Sequence, residues 1–212
     1  MRLAAIRTLG QLGQAAALPV LRESLGDADA ELAQAALESL AVLPGREVDA
    51  AVMTMLGRGD VKGRMAALEL IGRRRMTSAI PALLKAAAEA DPQVRLAAMR
   101  RLGELGGSAE LPALLDLLVR AKEPQNLSAV EEAIVGVLAR LERPESYVDK
   151  LAALLAQVQP AQKESLLRIL GAVGGAGALK AVRASVADSS SEVQAVALRV
   201  LRSEEHKSEL QS

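Results

Sequence analysis

Few side chains in this sequence can perform covalent or metal chemistry. The 212 residues include no cysteine, and His206 is the single histidine. Thiolates and imidazoles supply many of the nucleophiles, general bases and zinc ligands of proteins. The missing cysteines exclude disulfides, thiolate metal sites and cysteine nucleophiles. Any site that needs an imidazole depends on His206 alone.

The histidine lies in a terminal segment that leaves the pattern of the preceding chain. Residues 202–212 read RSEEHKSELQS. This segment resembles the conceptual translation of a short-read sequencing adapter, with Lys207 where Thr is usual. We expect residues 202–212 to be an artefactual tail whose removal leaves the melting midpoint nearly unchanged; a natural polar cap is the alternative. Without His206, Ser-His-Asp sites are excluded, so we expect no enzyme activity, no cofactor and no metal.

Two other patterns resemble catalytic or phosphate-binding motifs but fit ordinary helical structure better. Glu131 and Glu132 are neighbours in sequence, so on a helix they face different directions. Residues 171–177 (GAVGGAG) are rich in glycine, but they follow a helical pattern and lack the Gly-Lys-Ser/Thr ending of a phosphate loop. We interpret this segment as a turn between helices, and the carboxylates as solvated.

The densest basic cluster is Arg73, Arg74 and Arg75. A nucleic-acid interface would need a continuous basic stripe and stacking aromatic residues. Here 26 cations balance 26 anions, and Tyr147 is the only aromatic residue. We interpret the cluster as a solvated turn, with an acidic protein partner and nucleic acid as the alternatives.

These residues belong to a repeat with a period of 31. Segments 2–10, 33–41, 64–72 and 95–103 align without gaps, and each closes on a small residue. Apolar residues three and four positions apart mark one face of a helix. Each unit therefore predicts a helix A, a turn, a helix B and a short link. The glycines of the closing column allow neighbouring helices to approach closely; they are Gly10, Gly72, Gly103 and Gly171.

Two further columns mark helix starts. Pro19, Pro81 and Pro112 stand in the first turn of helix B, where a missing N–H loses no hydrogen bond. Asp60 and Asp91 stand just before helix A, where a carboxylate can cap the first N–H groups. The 41 alanines and 36 leucines suit a thin, repeated helical core that needs no aromatic residues.

The repeat boundaries fall near 1–29, 30–60, 61–91, 92–123, 124–159 and 160–190, with a partial repeat at 191–201. Repeat five has about five extra residues between Val119 and Ser128. The capping-box pattern that begins at Ser128 predicts that helix A restarts there. We interpret the extra residues as a loop insertion, with a protruding contact loop as the alternative. Met1 falls inside the pattern of a helix A, so we expect an array truncated at both ends.

The stretch at 91–98 (DPQVRLAA), with 102–106 (LGELG) and 111–115 (LPALL), resembles HEAT-like repeats of the short bacterial type, which are also found in relatives of phycobilisome lyases. The resemblance covers residues 1–201 and implies an all-α, right-handed α-solenoid. It also implies a ladder of ion pairs between repeats, formed by Asp60 with Arg64 and by Asp91 with Arg95. Solvated pairs of little energetic value are the alternative.

The resemblance implies a non-catalytic protein-interaction scaffold or a spacer segment of a larger bacterial protein. Its partner would be another protein or the flanking domains of the same polypeptide. The alternatives are a phycobilin-lyase-type enzyme or enzyme subunit, and a nucleic-acid-binding solenoid. No apolar run approaches the ~20 residues that a membrane span needs, so we expect no membrane insertion. The compartment stays open.

Helix B lines the concave face in solenoids that this sequence resembles. The positions four and eight residues after the proline column form two rows of mostly polar side chains with alternating charge. These rows would suit a mixed, mostly polar partner; solvated charges without a partner are the alternative. Together with the three turn arginines, the candidate partner-binding residues are Glu23, Arg58, Lys85, Glu89, Asp116 and Arg120.

Overall fold

The computed structural model describes residues 1–210, with side chains described for residues 1–203. His206 and most of the predicted tail therefore lie outside the described side chains. The described residues form helices joined by turns and short links, as the sequence predicts, and contain no strand. The α-helices are α1 (Arg2–Leu12), α2 (Leu18–Ser24), α3 (Ala30–Val42), α4 (Arg46–Arg58), α5 (Val61–Arg73), α6 (Ile80–Ala86), α7 (Pro92–Leu105), α8 (Leu111–Arg120), α9 (Pro124–Leu138), α10 (Val148–Leu155), α11 (Pro160–Val173), α12 (Gly175–Ala184) and α13 (Ser191–Leu210).

The helices follow the predicted order of six A–B pairs and the start of a seventh. They group into two compact units, one of residues 1–105 and one from Gly106 onward. In the first unit, α1, α3, α5 and α7 pack in sequence, and each of α2, α4 and α6 packs on the helix A that follows it. In the second unit, α9, α11 and α13 pack in the same way, with α8, α10 and α12 beside them. Each unit is therefore a segment of α-solenoid.

Leucine and alanine fill the core of these segments. Leu40, Ile71 and Leu102, from one column of successive A helices, are almost completely buried. The alanine column beside them is buried as well, at Ala36 and Ala67. Each of these side chains contributes little area by itself, so stability arises from stacking successive pairs into a continuous core.

The predicted helix starts are confirmed. Asp60 accepts a hydrogen bond from the N–H of Gly63 at 2.8 Å, and Asp91 accepts one from Val94 at 3.0 Å. These contacts satisfy N–H groups that have no partner within the helix. The three column prolines stand in the first turn of α2, α6 and α8, as predicted; they are Pro19, Pro81 and Pro112.

Closing-column glycines lie where neighbouring helices approach. A Cβ atom placed on Gly10 would come within 2.5 Å of Ser39 Oγ and 2.6 Å of Ser39 Cβ. The Ser39 hydroxyl also donates to the Ile6 carbonyl at 3.2 Å, which holds this side chain between α1 and α3. Gly72 and Gly171 meet Arg101 and Val200 in the same manner.

The prediction that helix A of repeat five restarts at Ser128 was wrong. Helix α9 begins at Pro124, four residues before the predicted restart at Ser128. Proline fits the first helical turn, so Pro124 starts the helix, and the Ser128 hydroxyl donates to Glu132 Oε1 instead of capping it. Helix α8 continues to Arg120. The extra residues therefore lengthen α9, and no long contact loop forms here.

Candidate protein-interaction surface

Several charged residues bind one another within a repeat. A cation near the start of helix A pairs with an acid 25 residues later, beyond the end of helix B. The pairs are Arg2 with Asp27 at 2.6 Å, Arg64 with Glu89 at 2.5 Å and Lys163 with Asp188 at 2.7 Å. Each pair fixes the link that follows helix B against helix A of the same repeat.

The resemblance implied a ladder of ion pairs in which Arg64 pairs with Asp60. In the structure these two residues have other partners. The Arg64 guanidinium pairs with Glu89 and donates from Nε to the Leu56 carbonyl at 2.9 Å. Asp60 instead caps α5, because its carboxylate lies next to the N–H of Gly63. Arg95 donates to the Glu89 and Ala90 carbonyls, at 2.8 and 2.9 Å. Both arginines thus donate to carbonyl groups of the preceding repeat.

Glu89 is consequently a structural residue more than a free contact. Its side chain is about one-third exposed and is held by Arg64. Asp116 and Arg120, which are also predicted contacts, form an exposed pair one helical turn apart on α8, at 3.1 Å. Such pairs contribute little to stability, so these two side chains stay accessible at small cost.

The three turn arginines have three different environments. Arg73 pairs with Glu69 one turn earlier, at 2.7 Å, and stays exposed. Arg74 is 11% exposed and forms an ion pair with Asp49. Arg75 has a φ of 53°, and its exposed side chain has no hydrogen bond or ion pair within the described residues. The structure therefore separates Arg74, which holds the fold, from Arg75, which faces solvent.

On helix B of the first unit, the remaining predicted contacts are accessible. Arg58 and Lys85 are exposed, and neither has an intramolecular polar partner among the described side chains. Glu23 is also exposed and lines a groove of about 510 Å³ with Arg2, Asp27 and other residues of α1 to α3. The three predicted contacts on this face thus present charges that are not used inside the fold.

Three described carboxylates have clearly perturbed pKa values, and all three pKa values are lowered. The Asp29 N–H and then Arg2 hold the pKa of Asp27 below its usual range. A hydrogen bond from Lys163, followed by the Ser190 N–H, lowers the pKa of Asp188. The Ser190 hydroxyl is the main cause of the lowered pKa of Glu192. Lowered values stabilise the charged form, whereas a general acid near neutral pH needs a raised value.

The described residues lack two features that would point to other functions. No cluster of three or more His, Cys, Asp or Glu side chains is placed to hold a metal ion. Among the helices that the structure describes, none combines the length and the apolar character needed to cross a membrane.

Comparison with protein families agrees with the helix pairs described above. A family model for HEAT repeats matches residues 48–135, from within α4 to near the end of α9. Residues 48–135 form HEAT-like repeats. This confirms the resemblance seen in the sequence, and helix pairs of this kind form extended surfaces that bind other proteins. Comparison with curated proteins gives no match to this chain.

Solved structures that resemble this HEAT-like protein share little sequence with it. Human deoxyhypusine hydroxylase in complex with glycerol is 20% identical, with a TM-score of 0.48, covering 97% of this chain and 79% of that one. The complex of CpcE and CpcF of phycocyanin lyase from Nostoc sp. PCC7120 is 18% identical, with a TM-score of 0.39 and coverages of 89% and 99%. An engineered protein is 19% identical, with a TM-score of 0.45 and coverages of 87% and 95%. At these values the likeness carries no information about activity.

Two structural differences among the turn arginines were not predicted from the sequence. Arg74 occupies the column of Leu12, Leu43 and Leu105, and this departure from an apolar pattern signals a special contact. Arg75 stands 62 residues after Gly13, two repeats on, where a glycine would be expected. Both signals are departures from the repeat, and each could be found by comparing the units column by column.

Proposed function

We propose that this HEAT-like chain is a non-catalytic protein-interaction scaffold or spacer segment of a larger bacterial protein. Its partner is another protein or a flanking domain of the same polypeptide. The observation that carries the proposal is that some charged side chains are paired within the fold and others are not. Those that hold the repeats together are paired, while Arg58, Lys85 and Arg75 of the first unit are exposed without partners. Unpaired arginines on a rigid surface are common anchors of protein interfaces.

The absence of catalytic activity is part of the same proposal. Cysteine is missing from the sequence, and the carboxylates with perturbed pKa values are more acidic than usual. Both observations favour a binding role over acid–base or nucleophilic catalysis. The printed names of the structural neighbours include a hydroxylase and a lyase, but identities of 20% and 18% do not extend those activities to this chain.

A selection experiment tests the proposal. The full chain is immobilised and used to select binders from a random library of displayed 12-residue peptides. Enriched sequences are then synthesised and titrated by fluorescence anisotropy. We expect saturable binding that disappears when the chain is unfolded by heat. Failure to enrich any sequence above the empty support would contradict a protein-binding role.

Two controls separate the alternative functions. A nucleic-acid-binding solenoid would retain a labelled 20-base-pair DNA with a steep dependence on salt. A lyase-type protein would give a stable change in the absorbance spectrum of an added bilin. We expect neither effect with the full chain. A clear positive result in either control would replace the scaffold by the corresponding function.

A further inference from the structure

Three successive turns between helix A and helix B meet along one side of the first unit. They follow α1, α3 and α5. A Cβ atom placed on Gly13, in the first turn, would lie 3.8 Å from Pro44 Cδ in the second. Arg74, in the third turn, donates from Nη1 to the Leu43 carbonyl of the second at 2.6 Å. We call this side the turn edge and define it by Leu12, Val42, Pro44, Arg46 and Arg75.

The turn edge exposes apolar side chains. Leu12 is 60% exposed and Val42 is 72% exposed. Among the large apolar side chains that the structure describes, only Met1 is more exposed. Pro44, next to them, is exposed as well. Single exposed apolar residues are ordinary, but neighbouring ones with a charged rim are typical of a binding surface.

Arg75 has a backbone conformation that favours glycine. Its φ of 53° lies in the left-handed region, which Gly13 adopts at the equivalent turn with a φ of 66°. The Met76 N–H donates to the Ile71 carbonyl at 3.0 Å, and the Arg75 N–H donates to Gly72 at 3.1 Å, which closes the end of α5. Helices commonly end this way with glycine at the left-handed position, because a side chain is disfavoured there.

Arg75 therefore has an unfavourable backbone conformation, and no described contact of its side chain compensates for it. Where a residue departs from its local preference and gains nothing inside the fold, a role in function is the physical explanation to test first. Arg46 shows the same conflict. It is the first residue of α4, where the helix dipole disfavours a cation, and its exposed side chain has no partner in the described part of the chain.

We propose that the turn edge binds an acidic segment of a partner protein that also carries apolar side chains. Arg46 and Arg75 bind its carboxylates through planar, multiply donating guanidinium groups. Leu12 and Val42 contact its apolar side chains. The inference rests on the proposed scaffold function and names the surface and the partner chemistry. Nucleic acid is disfavoured, because it offers no apolar side chains to Leu12 and Val42 and the edge carries no aromatic residue for base stacking.

The test uses the peptides selected on the full chain. One variant combines Arg46→Glu with Arg75→Glu, and a matched variant combines Arg58→Glu with Lys85→Glu on helix B. We expect the selected peptides to combine acidic and apolar residues. We also expect binding at least tenfold weaker for the turn-edge variant, and a clearly smaller loss for the helix B variant, whose charges belong to the other candidate surface. Circular dichroism confirms that both variants are folded.

A second variant keeps the test decisive if charge reversal disturbs folding. Arg75→Gly removes the side chain and places the preferred residue at the left-handed position, so the fold is retained. We expect it to bind the peptides at least threefold more weakly. Loss of binding only in the helix B variant would overturn the turn-edge proposal and leave the scaffold function standing. Selected peptides without acidic residues, or displacement of the peptides by the 20-base-pair DNA, would also overturn it. Failure to select any peptide would contradict both proposals.

Discussion

Arg74 donates two hydrogen bonds to one oxygen of Asp49, from Nε at 2.9 Å and from Nη2 at 2.7 Å. Its third nitrogen, Nη1, donates to the carbonyls of Leu43 at 2.6 Å and Leu40 at 2.8 Å. These carbonyls end α3 and have no partner within that helix. One side chain of repeat three therefore closes the helix A end of repeat two and holds the start of its helix B.

We expect Arg74→Ala to lower the free energy of unfolding by about 2 kcal/mol, because charged hydrogen bonds to nearly buried groups are lost together. Urea unfolding followed by circular dichroism measures this change. Arg73→Ala is the matched control, since its pair with Glu69 is exposed and worth about 0.3 to 0.5 kcal/mol. Equal effects of the two substitutions would contradict the assigned role of Arg74.

The close approach of α1 and α3 makes a second prediction. Gly10→Ala places a methyl group against Ser39, and we expect a loss of about 1 to 3 kcal/mol, because the helices must move apart. Gly57→Ala provides the control within helix α4, where a Cβ atom meets nothing within 4 Å. That substitution should stabilise the fold by about 0.5 to 1 kcal/mol. Thermal unfolding of both variants would reveal the opposite signs, and a neutral Gly10→Ala would be inconsistent with the packing.

The ion pairs within repeats predict how stability depends on pH. Asp27 and Asp188 have folded pKa values below their ordinary value of 3.8. Between the folded and unfolded pKa values, the unfolded chain binds more protons, so stability falls as pH decreases. This contribution is fully present above about pH 5 and is lost progressively as the pH drops through 3.8 and below the folded pKa values.

Urea midpoints measured between pH 3 and pH 7 test this dependence. The double variant Asp27→Asn and Asp188→Asn should show a shallower acid decline than the unsubstituted chain, because both titrating carboxylates are removed. If the two chains decline in parallel over the whole range, these carboxylates do not couple protonation to folding.

Much of the fold was predictable because each helix pair packs on its neighbours in the same way. Two kinds of residue recur along the chain every 31 residues. They are small closing residues such as Gly10 and helix-starting residues such as Asp91 and Pro112, and the helices begin and end near them. Single departures were harder to interpret. Pro124 overrode the capping pattern at Ser128, since either residue can start a helix and sequence spacing alone does not choose between them.

The candidate surface was less predictable, because charge alone does not tell whether a side chain is already paired. Glu89 and Arg74 were predicted to meet a partner, but each is held by a residue 25 positions away. Ion pairs between residues 25 positions apart depend on how the helices stack. The periodicity within one helix does not specify that stacking. Arg58 and Lys85 remain predictions that the peptide titrations test directly.

The central claim is that adjacent arginines have separate roles, with Arg74 holding the repeats together and Arg75 facing a protein partner. Parallel measurements of melting midpoint and affinity for the selected peptides on Arg74→Ala and Arg75→Gly test it most directly. We expect Arg74→Ala to lower the midpoint. Arg75→Gly should raise the free energy of unfolding by about 1 kcal/mol, by relieving the left-handed residue, and still weaken peptide binding. A stabilised Arg75→Gly chain with unchanged peptide affinity would contradict the account.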